Sequence, residues 1–144
     1  VHLHVMARFV TNRAVSHEIV RHRPCAILQE SQRYCRYSAG RFGNEVTFIC
    51  PSTFWKEDSP EYAMWERHCF TSEQLYLKLL KDGSSPQAAR TVLPNSTKTE
   101  LILYANIKQW KHIFKLRAEN KDAEPSMREI MIPLQEQFKK NGWL

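Results

Sequence analysis

The sequence lacks a long apolar run, and no stretch approaches the ~20 consecutive apolar residues that a membrane-spanning helix needs. It also lacks a secretory signal, because the opening Val-His-Leu-His is not a basic start followed by an apolar run. Internal repeats, linkers and low-complexity segments are missing as well. We therefore expect a single domain over residues 1–144, no membrane partner and a cytoplasmic location. Without an initiator Met, the chain is expected to be a fragment or a processed product.

Cysteine is scarce, and the four cysteines are spaced too widely for a familiar metal or redox motif. No pair has the two-residue gap of a Cys-x-x-Cys motif. Without a secretory signal, reduced thiols are the expected state. The sequence therefore predicts no disulfide framework, no structural zinc and no other metal site. The cysteines are Cys25, Cys35, Cys50 and Cys69.

Acidic residues are outnumbered by basic ones. The chain has 21 Lys and Arg against 15 Asp and Glu, which gives a formal net charge of +6. Such a surplus suggests an anionic partner, for example a nucleotide, a nucleic acid or an acidic surface. A solvated basic surface without a partner would give the same charge, so charge alone leaves both interpretations open.

Apolar periodicity divides the first third of the chain. Alternation over residues 1–6 predicts the end of a strand. From 7 to about 23, apolar residues recur at helical spacing, and Pro24 marks the exit from that helix. Residues 24–44 are predicted to form a structured loop with one short strand, and alternation over 46–50 predicts another strand.

Serine–proline pairs predict two helix starts further along, since serine is a good N-cap and proline suits the first helical position. These helices should span 60–81 and the short stretch 86–93. Residues 101–105 are apolar but too few to distinguish strand from helix by period. An amphipathic helix is predicted over 107–116 and a last helix over 125–140. The whole pattern predicts an α+β fold, mostly helical with a few strands.

The densest polar cluster lies at the end of the first predicted helix and in the loop after it. Three arginines and one histidine fall within 13 residues there. Arginine offers a permanent charge and a planar fork of donors that suits phosphates and heterocycle carbonyls, and it does not titrate near neutrality. We expect the cluster to bind and polarise anions, or else to be a basic surface helix end that favours the dipole. Its strings are Arg21-His22-Arg23 and Gln29-Glu30-Ser31-Gln32-Arg33-Tyr34.

A second polar set lies downstream. Lys108 and His112 are four residues apart, so they share one face of the predicted helix. The alternative interpretation is a set of ordinary cations on the outer face of an amphipathic helix. The full set is Arg90, Asn106, Lys108, His112 and Arg117.

As strings, these residues resemble the motifs of the flavin-dependent thymidylate synthase family. Arg21-His22-Arg23, then seven residues, then Ser31, matches the Arg-His-Arg-x7-Ser signature of that family. The lead-in 16–20 and the downstream strings 89–94 and 116–118 are also similar to the family, in the expected order. The resemblance covers almost the whole chain, from Val1 to about Gln137.

The resemblance implies an α+β fold with helices packed around a small, mostly antiparallel sheet. It also implies a homotetramer whose active sites are each built from more than one subunit. Members of the family are usually longer at the N-terminus, so part of the sheet is expected to precede Val1. The implied partners are the small molecules dUMP, a folate and NADPH, with no nucleic acid.

The implied reaction is the reductive methylation of dUMP to dTMP. Methylenetetrahydrofolate would supply the one-carbon unit, and NADPH would reduce a bound FAD. No cysteine nucleophile is required, so Cys25 and Cys35 are interpreted as packed or idle thiols. Ser31 is interpreted as a ligand, because the sequence offers no adjacent base to activate it.

The resemblance also assigns residues to two binding sites. Arg117 would be catalytic, since a fixed cation beside the uracil stabilises negative charge on the pyrimidine. The implied FAD contacts are Arg21, His22, Arg23, Gln29, Asn106, Lys108 and His112. The implied dUMP contacts are Glu18, Ile19, Val20, Arg21, Gln29, Glu30, Ser31, Gln32, Arg33, Arg90 and Arg117.

The chain departs from the family pattern at a few positions. Lys108 stands where arginine is common, which replaces a bidentate fork by a point charge. Glu18 stands where glutamine is often found, and a carboxylate is less favourable beside an anionic nucleotide. Pro24 and Cys25 follow the Arg-His-Arg string in place of an aliphatic and a small residue.

Two other functions fit part of the sequence. Aromatic and arginine side chains alternate over 33–42 and could stack bases and bind phosphates, which is typical of a nucleic-acid-binding module. A truncated synthase retained as an inactive assembly partner would keep the motifs without turnover. The residues of the nucleic-acid hypothesis are Arg33, Tyr34, Arg36, Tyr37, Arg41 and Phe42.

Overall fold

The computed structural model describes residues 2–33 and 45–144. Within these ranges, five α-helices accompany a small antiparallel sheet of three strands, so the predicted α+β fold is confirmed. The strands are β1 (His4–Asn12), β2 (Ala26–Gln29) and β3 (Lys98–Asn106). The helices are α1 (Arg13–Ile19), α2 (Pro60–Lys81), α3 (Pro86–Ala89), α4 (Ile107–Phe114) and α5 (Pro125–Lys140). A 3-10 turn, Arg90–Val92, follows α3, and a π-helical turn, Lys115–Glu119, follows α4.

Strand β3 lies at the centre of the sheet, between β1 and β2. The β2 strand runs antiparallel to β3, with Ala26 opposite Tyr104 and Gln29 opposite Leu101. Leu101, Leu103 and Ala105 are buried, whereas Tyr104 is exposed, as the two-residue period of a strand with one packed face requires. In the described ranges, every helix is too short or too polar to traverse a bilayer.

The chain divides into two compact units. The first comprises Val1–Val10, Val15–Gln29 and Glu100–Leu144, and the second comprises Thr11–Ala14 and Glu30–Thr99. Each unit has its own cluster of buried apolar residues, so each has the hydrophobic core that packed elements need.

The core of the first unit is aromatic. Trp110, Phe114 and Phe138 are almost completely buried, and the Phe138 ring centroid lies 5.2 Å from that of Trp110 and 5.0 Å from that of Phe114. The indole Nε1 of Trp110 donates to the carbonyl oxygen of Val5 at 3.1 Å, which satisfies its one polar atom. This cluster therefore anchors α4, which carries several of the predicted site residues, against α5 and β1.

The second unit is built around α2, whose ends follow local signals. The Ser59 hydroxyl accepts from the Tyr62 backbone N–H at 3.2 Å, as an N-cap does. Beyond the other end, Gly83 adopts a φ of 98°, a left-handed conformation that favours glycine. Tyr76 and Leu80 lie on the buried face of the helix. The predicted helix over 60–81 is therefore confirmed.

The prediction of a helix from residue 7 is wrong. Strand β1 continues to Asn12, and the helix α1 covers only Arg13–Ile19. Phe9 is 5% exposed on the packed face of the sheet, whereas Val10 is 49% exposed on the opposite face. Because apolar residues occupy both faces of this strand, their spacing imitates that of a helix.

The predicted strand over 46–50 is also wrong. Phe48 forms only an isolated antiparallel bridge with Thr97, flanked by a 2.8 Å hydrogen bond from Ile49 N to Ser96 O. The pairing is too short to make a strand. By contrast, the short strand expected after Pro24 is confirmed as β2, and residues 101–105 prove to be strand.

The later helices agree with prediction. Helices follow both serine–proline pairs, and α5 covers the predicted range 125–140. The amphipathic helix predicted over 107–116 begins at Ile107 but changes to a π-helical turn at Lys115. Residues 34–44 of the predicted loop, with Cys35 and every residue of the nucleic-acid hypothesis except Arg33, lie outside the described residues.

Candidate active site

The Arg-His-Arg string follows directly after α1, in the first unit. Backbone hydrogen bonds from Arg21 N to Glu18 O and from His22 N to Ile19 O, both 3.2 Å, tighten the end of the helix. His22 is 7% exposed, while Arg21 and Arg23 are exposed. The buried imidazole therefore anchors the turn and leaves the two flanking cations at the surface.

Arg23 also closes the end of α1. Its Nη1 donates to the carbonyl oxygens of Val20 at 2.7 Å and of His22 at 2.9 Å. The last carbonyl groups of a helix lack partners within the helix, and a cationic donor is favourable at that negative end of the dipole. The peptide bond from Arg23 to Pro24 is cis.

Arg117 contacts two residues of the α1 region. Its Nε donates to Nε2 of His22 at 3.1 Å, and its Nη1 lies 3.2 Å from Oε1 of Glu18. The side chains of Arg117 and Glu18 are 21% and 39% exposed, so the ion pair is partly shielded from water. Three predicted site residues from opposite ends of the chain thus form one hydrogen-bonded group.

His22 is held in its neutral form. Its burial and the nearby charges of Arg117 and His112 lower the pKa of His22 from 6.5 to about 4. Since Nε2 accepts the hydrogen bond from Arg117, the ring proton of the neutral imidazole lies on Nδ1. His22 therefore orients Arg117 without adding a second positive charge.

The π-helical turn places Arg117 in this group. The turn is held by α5, because Arg128 Nε donates to Ala118 O at 3.2 Å and Gln135 Nε2 donates to Glu119 Oε1 at 2.7 Å. Single π-helical turns frequently occur at functional sites. Sequence reasoning missed both Arg128 and Gln135, and no motif or spacing would have indicated them.

The start of α4 carries further predicted residues. The Asn106 side-chain oxygen accepts from Gln109 N at 2.8 Å, so Asn106 is the N-cap of the helix. Lys108 and His112 are exposed and share one face, as predicted. His112 also contributes to the lowered pKa of His22, the buried residue of the Arg-His-Arg string.

An open depression of about 420 Å³ lies beside the Arg-His-Arg string, also within the first unit. Gln29, one of its lining residues, donates from Nε2 to the buried Ser16 hydroxyl at 2.9 Å, which fixes the amide. The depression combines apolar walls with a guanidinium and an amide. It is lined by Val20, Arg23, Cys25, Ile27 and Gln29.

Cys25 has the environment of an inert thiol. Its Sγ donates to the carbonyl oxygen of His22 at 2.9 Å. Burial raises the pKa of the Cys25 thiol, although the Arg23 guanidinium acts in the opposite direction. A raised pKa disfavours the nucleophilic thiolate. The described cysteines, Cys25, Cys50 and Cys69, are free, and the described residues contain no cluster of His, Cys, Asp or Glu suited to a metal ion.

The remaining predicted dUMP contacts lie in the second unit. The Ser31 hydroxyl accepts from Arg33 N at 3.1 Å, which stabilises a tight turn. The carbonyl oxygen of Glu30 accepts from Arg13 Nη1 at 3.2 Å. Gln32 and Arg90 are half-buried, and Arg90 begins the 3-10 turn after α3.

Comparison with known proteins agrees with the motifs. The family model described as thymidylate synthase complementing protein matches residues 2–141. A flavin-dependent thymidylate synthase of Pyrococcus abyssi is 30% identical over 129 residues, covering 90% of this chain and 51% of the relative. Proteins with the same name from Thermococcus kodakarensis and Geobacter sulfurreducens are 34% identical over 133 residues and 35% identical over 106 residues. These two alignments cover 92% and 74% of this chain and 53% and 44% of the relatives.

The chain thus spans about half the length of the curated relatives that it matches. The family match extends over every described element, from β1 to α5. It includes both the Arg-His-Arg string and Arg117, which the structure joins in one hydrogen-bonded group. The resemblance found in the motifs is confirmed, and the chain belongs to the thymidylate synthase complementing protein family, whose curated members here are named flavin-dependent thymidylate synthases.

Proposed function

We propose that the chain is a subunit of a flavin-dependent thymidylate synthase, which converts dUMP to dTMP by reductive methylation. Methylenetetrahydrofolate is the one-carbon donor and NADPH the reductant in this proposal. The observation that carries it is the 3.1 Å hydrogen bond between Arg117 and His22, which unites two motifs of the family within one unit. A site of this kind needs fixed cations beside the substrate rather than a nucleophile.

The cations of the Arg-His-Arg string and of α4 suit FAD. Its diphosphate requires permanent cations, and Arg21 and Arg23 are exposed at the end of α1. Lys108 and His112 add donors on the exposed face of α4. When bound, FAD supplies hydride-transfer chemistry to the one-carbon unit. The proposed FAD contacts are Arg21, His22, Arg23, Gln29, Asn106, Lys108 and His112.

The proposed catalytic residue is Arg117. Its guanidinium is fixed by His22 at Nε and by Glu18 at Nη1, so the remaining N–H groups can donate to the uracil ring. A preorganised cation there stabilises the negative charge that develops on the pyrimidine. Arg33 and Arg90 would pair with the phosphate. The other proposed dUMP contacts are Glu18, Ile19, Val20, Arg21, Gln29, Glu30, Ser31 and Gln32.

The proposal extends to the assembly. Residues 1–144 act as one synthase domain, in a homotetramer whose subunits share their active sites. A cytoplasmic location is proposed as well, because the substrates are small soluble metabolites.

The visible absorption spectrum tests this function. The protein is mixed with FAD, passed over a desalting column, and scanned before and after NADPH and dUMP are added. We expect flavin bands that survive desalting and then bleach, and dTMP once methylenetetrahydrofolate is present. Replacing both Arg21 and Arg23 by Ala should abolish flavin retention. Replacing Arg67 and Lys78, which are exposed on α2, serves as the matched control.

Two results would point to other functions. A protein that rejects FAD, also when extended to the length of the relatives, and binds oligonucleotides with a steep salt dependence would be a nucleic-acid-binding module. The +6 net charge is the observation that favours this alternative. A protein that binds dUMP and FAD without forming dTMP would be an inactive assembly subunit.

A further inference from the structure

Arg117 is engaged through two of its three guanidinium nitrogens. Of the five N–H donors of a guanidinium, one on Nε binds His22 and one on Nη1 binds Glu18. Among the described residues, Nη2 has no hydrogen-bond acceptor, and the side chain is 21% exposed. The guanidinium is therefore held by two acceptors of different charge, and its Nη2 is available to a ligand.

Glu18 is placed where a carboxylate is locally unfavourable. It lies in the last turn of α1, next to the negative end of the helix dipole. Among the described residues, Arg117 is the one side chain that forms an ion pair with it. The carboxylate of Glu18 is therefore unfavourable within its own helix, and its stabilising contact is the ion pair with Arg117.

We propose that Glu18 is a positioning residue for Arg117. Glu18 fixes the guanidinium against His22 and partly neutralises the positive charge of Arg117. It thereby weakens the binding of anionic nucleotides. This inference rests on the proposed function in so far as dUMP is the ligand. The two contributions are separable, because the first depends on the Oε1 acceptor and the second on the charge.

Two substitutions separate the positioning contribution of Glu18 from its charge contribution. Glu18→Gln keeps an oxygen acceptor at the same position and removes the negative charge, whereas Glu18→Ala removes both. Glu136→Gln is the matched control, since Glu136 forms an exposed ion pair with Lys139 at 2.9 Å on α5.

The binding readout uses the FAD-loaded protein with dUMP and with uncharged deoxyuridine. Removing one charge near an anionic ligand should lower the Kd for dUMP about threefold in Glu18→Gln at low salt, and the change should shrink at high salt. The Kd for deoxyuridine and the behaviour of Glu136→Gln should not change. An unchanged or higher Kd for dUMP in Glu18→Gln overturns the charge contribution.

Two further readouts address positioning. The kcat for dTMP formation should be about tenfold lower in Glu18→Ala than in Glu18→Gln, because a misplaced donor loses transition-state stabilisation. The solvent exchange of the Arg117 Nε–H, measured by NMR without nucleotide, should be slow in the parent and in Glu18→Gln and fast in Glu18→Ala. Equal exchange in all three proteins overturns the positioning role. If the parent fails to bind dUMP, the proposed function fails, while the NMR result still decides the role of Glu18.

Discussion

Arg117 donates from Nε to Nε2 of His22 at 3.1 Å, although the two residues are 95 positions apart in the chain. The bond requires a neutral imidazole, and the environment provides one by lowering the pKa of His22 to about 4. A buried neutral acceptor orients a cation without repelling it. The pair thus converts two motifs that are separate in the sequence into one positively charged site.

Replacing Arg117 by lysine should separate flavin binding from turnover. A lysine ammonium cannot reach His22 and Glu18 with the geometry of the planar guanidinium fork. We expect Arg117→Lys to retain FAD but to lose roughly 100-fold in kcat, the scale seen when one preorganised donor is removed. Flavin absorbance and dTMP formation are the measurements, and Arg67→Lys on the exposed side of α2 is the control. Wild-type turnover in Arg117→Lys would refute the proposed activation of the uracil.

Arg90 should affect the nucleotide rather than the flavin. Among the described residues, the half-buried Arg90 has no ion-pair partner, so it is available for a phosphate. Arg90→Ala should raise the KM for dUMP about 10- to 100-fold, since a charged hydrogen bond contributes about 1.5–3 kcal/mol. The flavin content should stay at the parent level, and Arg67→Ala is the control. An equal loss of flavin and of nucleotide affinity would assign Arg90 a structural role instead.

Local sequence signals determined what could be predicted of the fold. The ends of α2 follow from Ser59, Pro60 and Gly83, which act within a few residues of the helix ends. The end of β1 could not be predicted in this way. Phe9 and Val10 are both apolar but lie on opposite faces of the sheet, and only the tertiary fold distinguishes a packed face from an exposed one.

The site, too, could be predicted only in part, because its contacts depend on the tertiary fold. The motif strings identified His22 and Arg117 separately, but their contact depends on the π-helical turn after α4. That turn is stabilised from α5 by Arg128 and Gln135, which belong to none of the recognised strings. The sequence therefore indicates which residues form the site, whereas the residues that position them, Arg128 and Gln135, are recognised only in the folded structure.

The aromatic core that anchors α4 should contribute to the free energy of unfolding. Trp110 is fully buried, packs against Phe114 and Phe138, and donates to Val5 O. Trp110→Ala should lower the free energy of unfolding by roughly 3–5 kcal/mol, because it leaves a large cavity and removes the hydrogen bond to Val5 O. Denaturation by urea measures the loss. Trp55→Ala is the control, as Trp55 is 40% exposed. A similar loss of free energy of unfolding in Trp110→Ala and Trp55→Ala would contradict the assignment of Trp110 to the core.

Acid should destabilise the protein through His22. Well above pH 6.5 the imidazole is neutral in both the folded and the unfolded state, so His22 adds no pH dependence to stability there. As the pH falls from 6.5 towards 4, the unfolded state binds a proton that the folded state still excludes, because the pKa of His22 is lowered to about 4. The free energy of unfolding therefore decreases over this window, by at most about 3 kcal/mol from this residue.

His22→Gln should remove that part of the acid dependence, since glutamine keeps an acceptor for Arg117 but does not titrate. The parent and the variant are unfolded with urea at several pH values between 7 and 4. The difference in free energy of unfolding between the parent and His22→Gln should shift in favour of the variant as the pH falls. His68→Gln, at an exposed position on α2, controls for the loss of a histidine. Parallel stability curves for the parent and His22→Gln would mean that the pKa of His22 is not lowered in the folded protein, and the assignment of a neutral His22 between pH 6.5 and 4 would then be wrong.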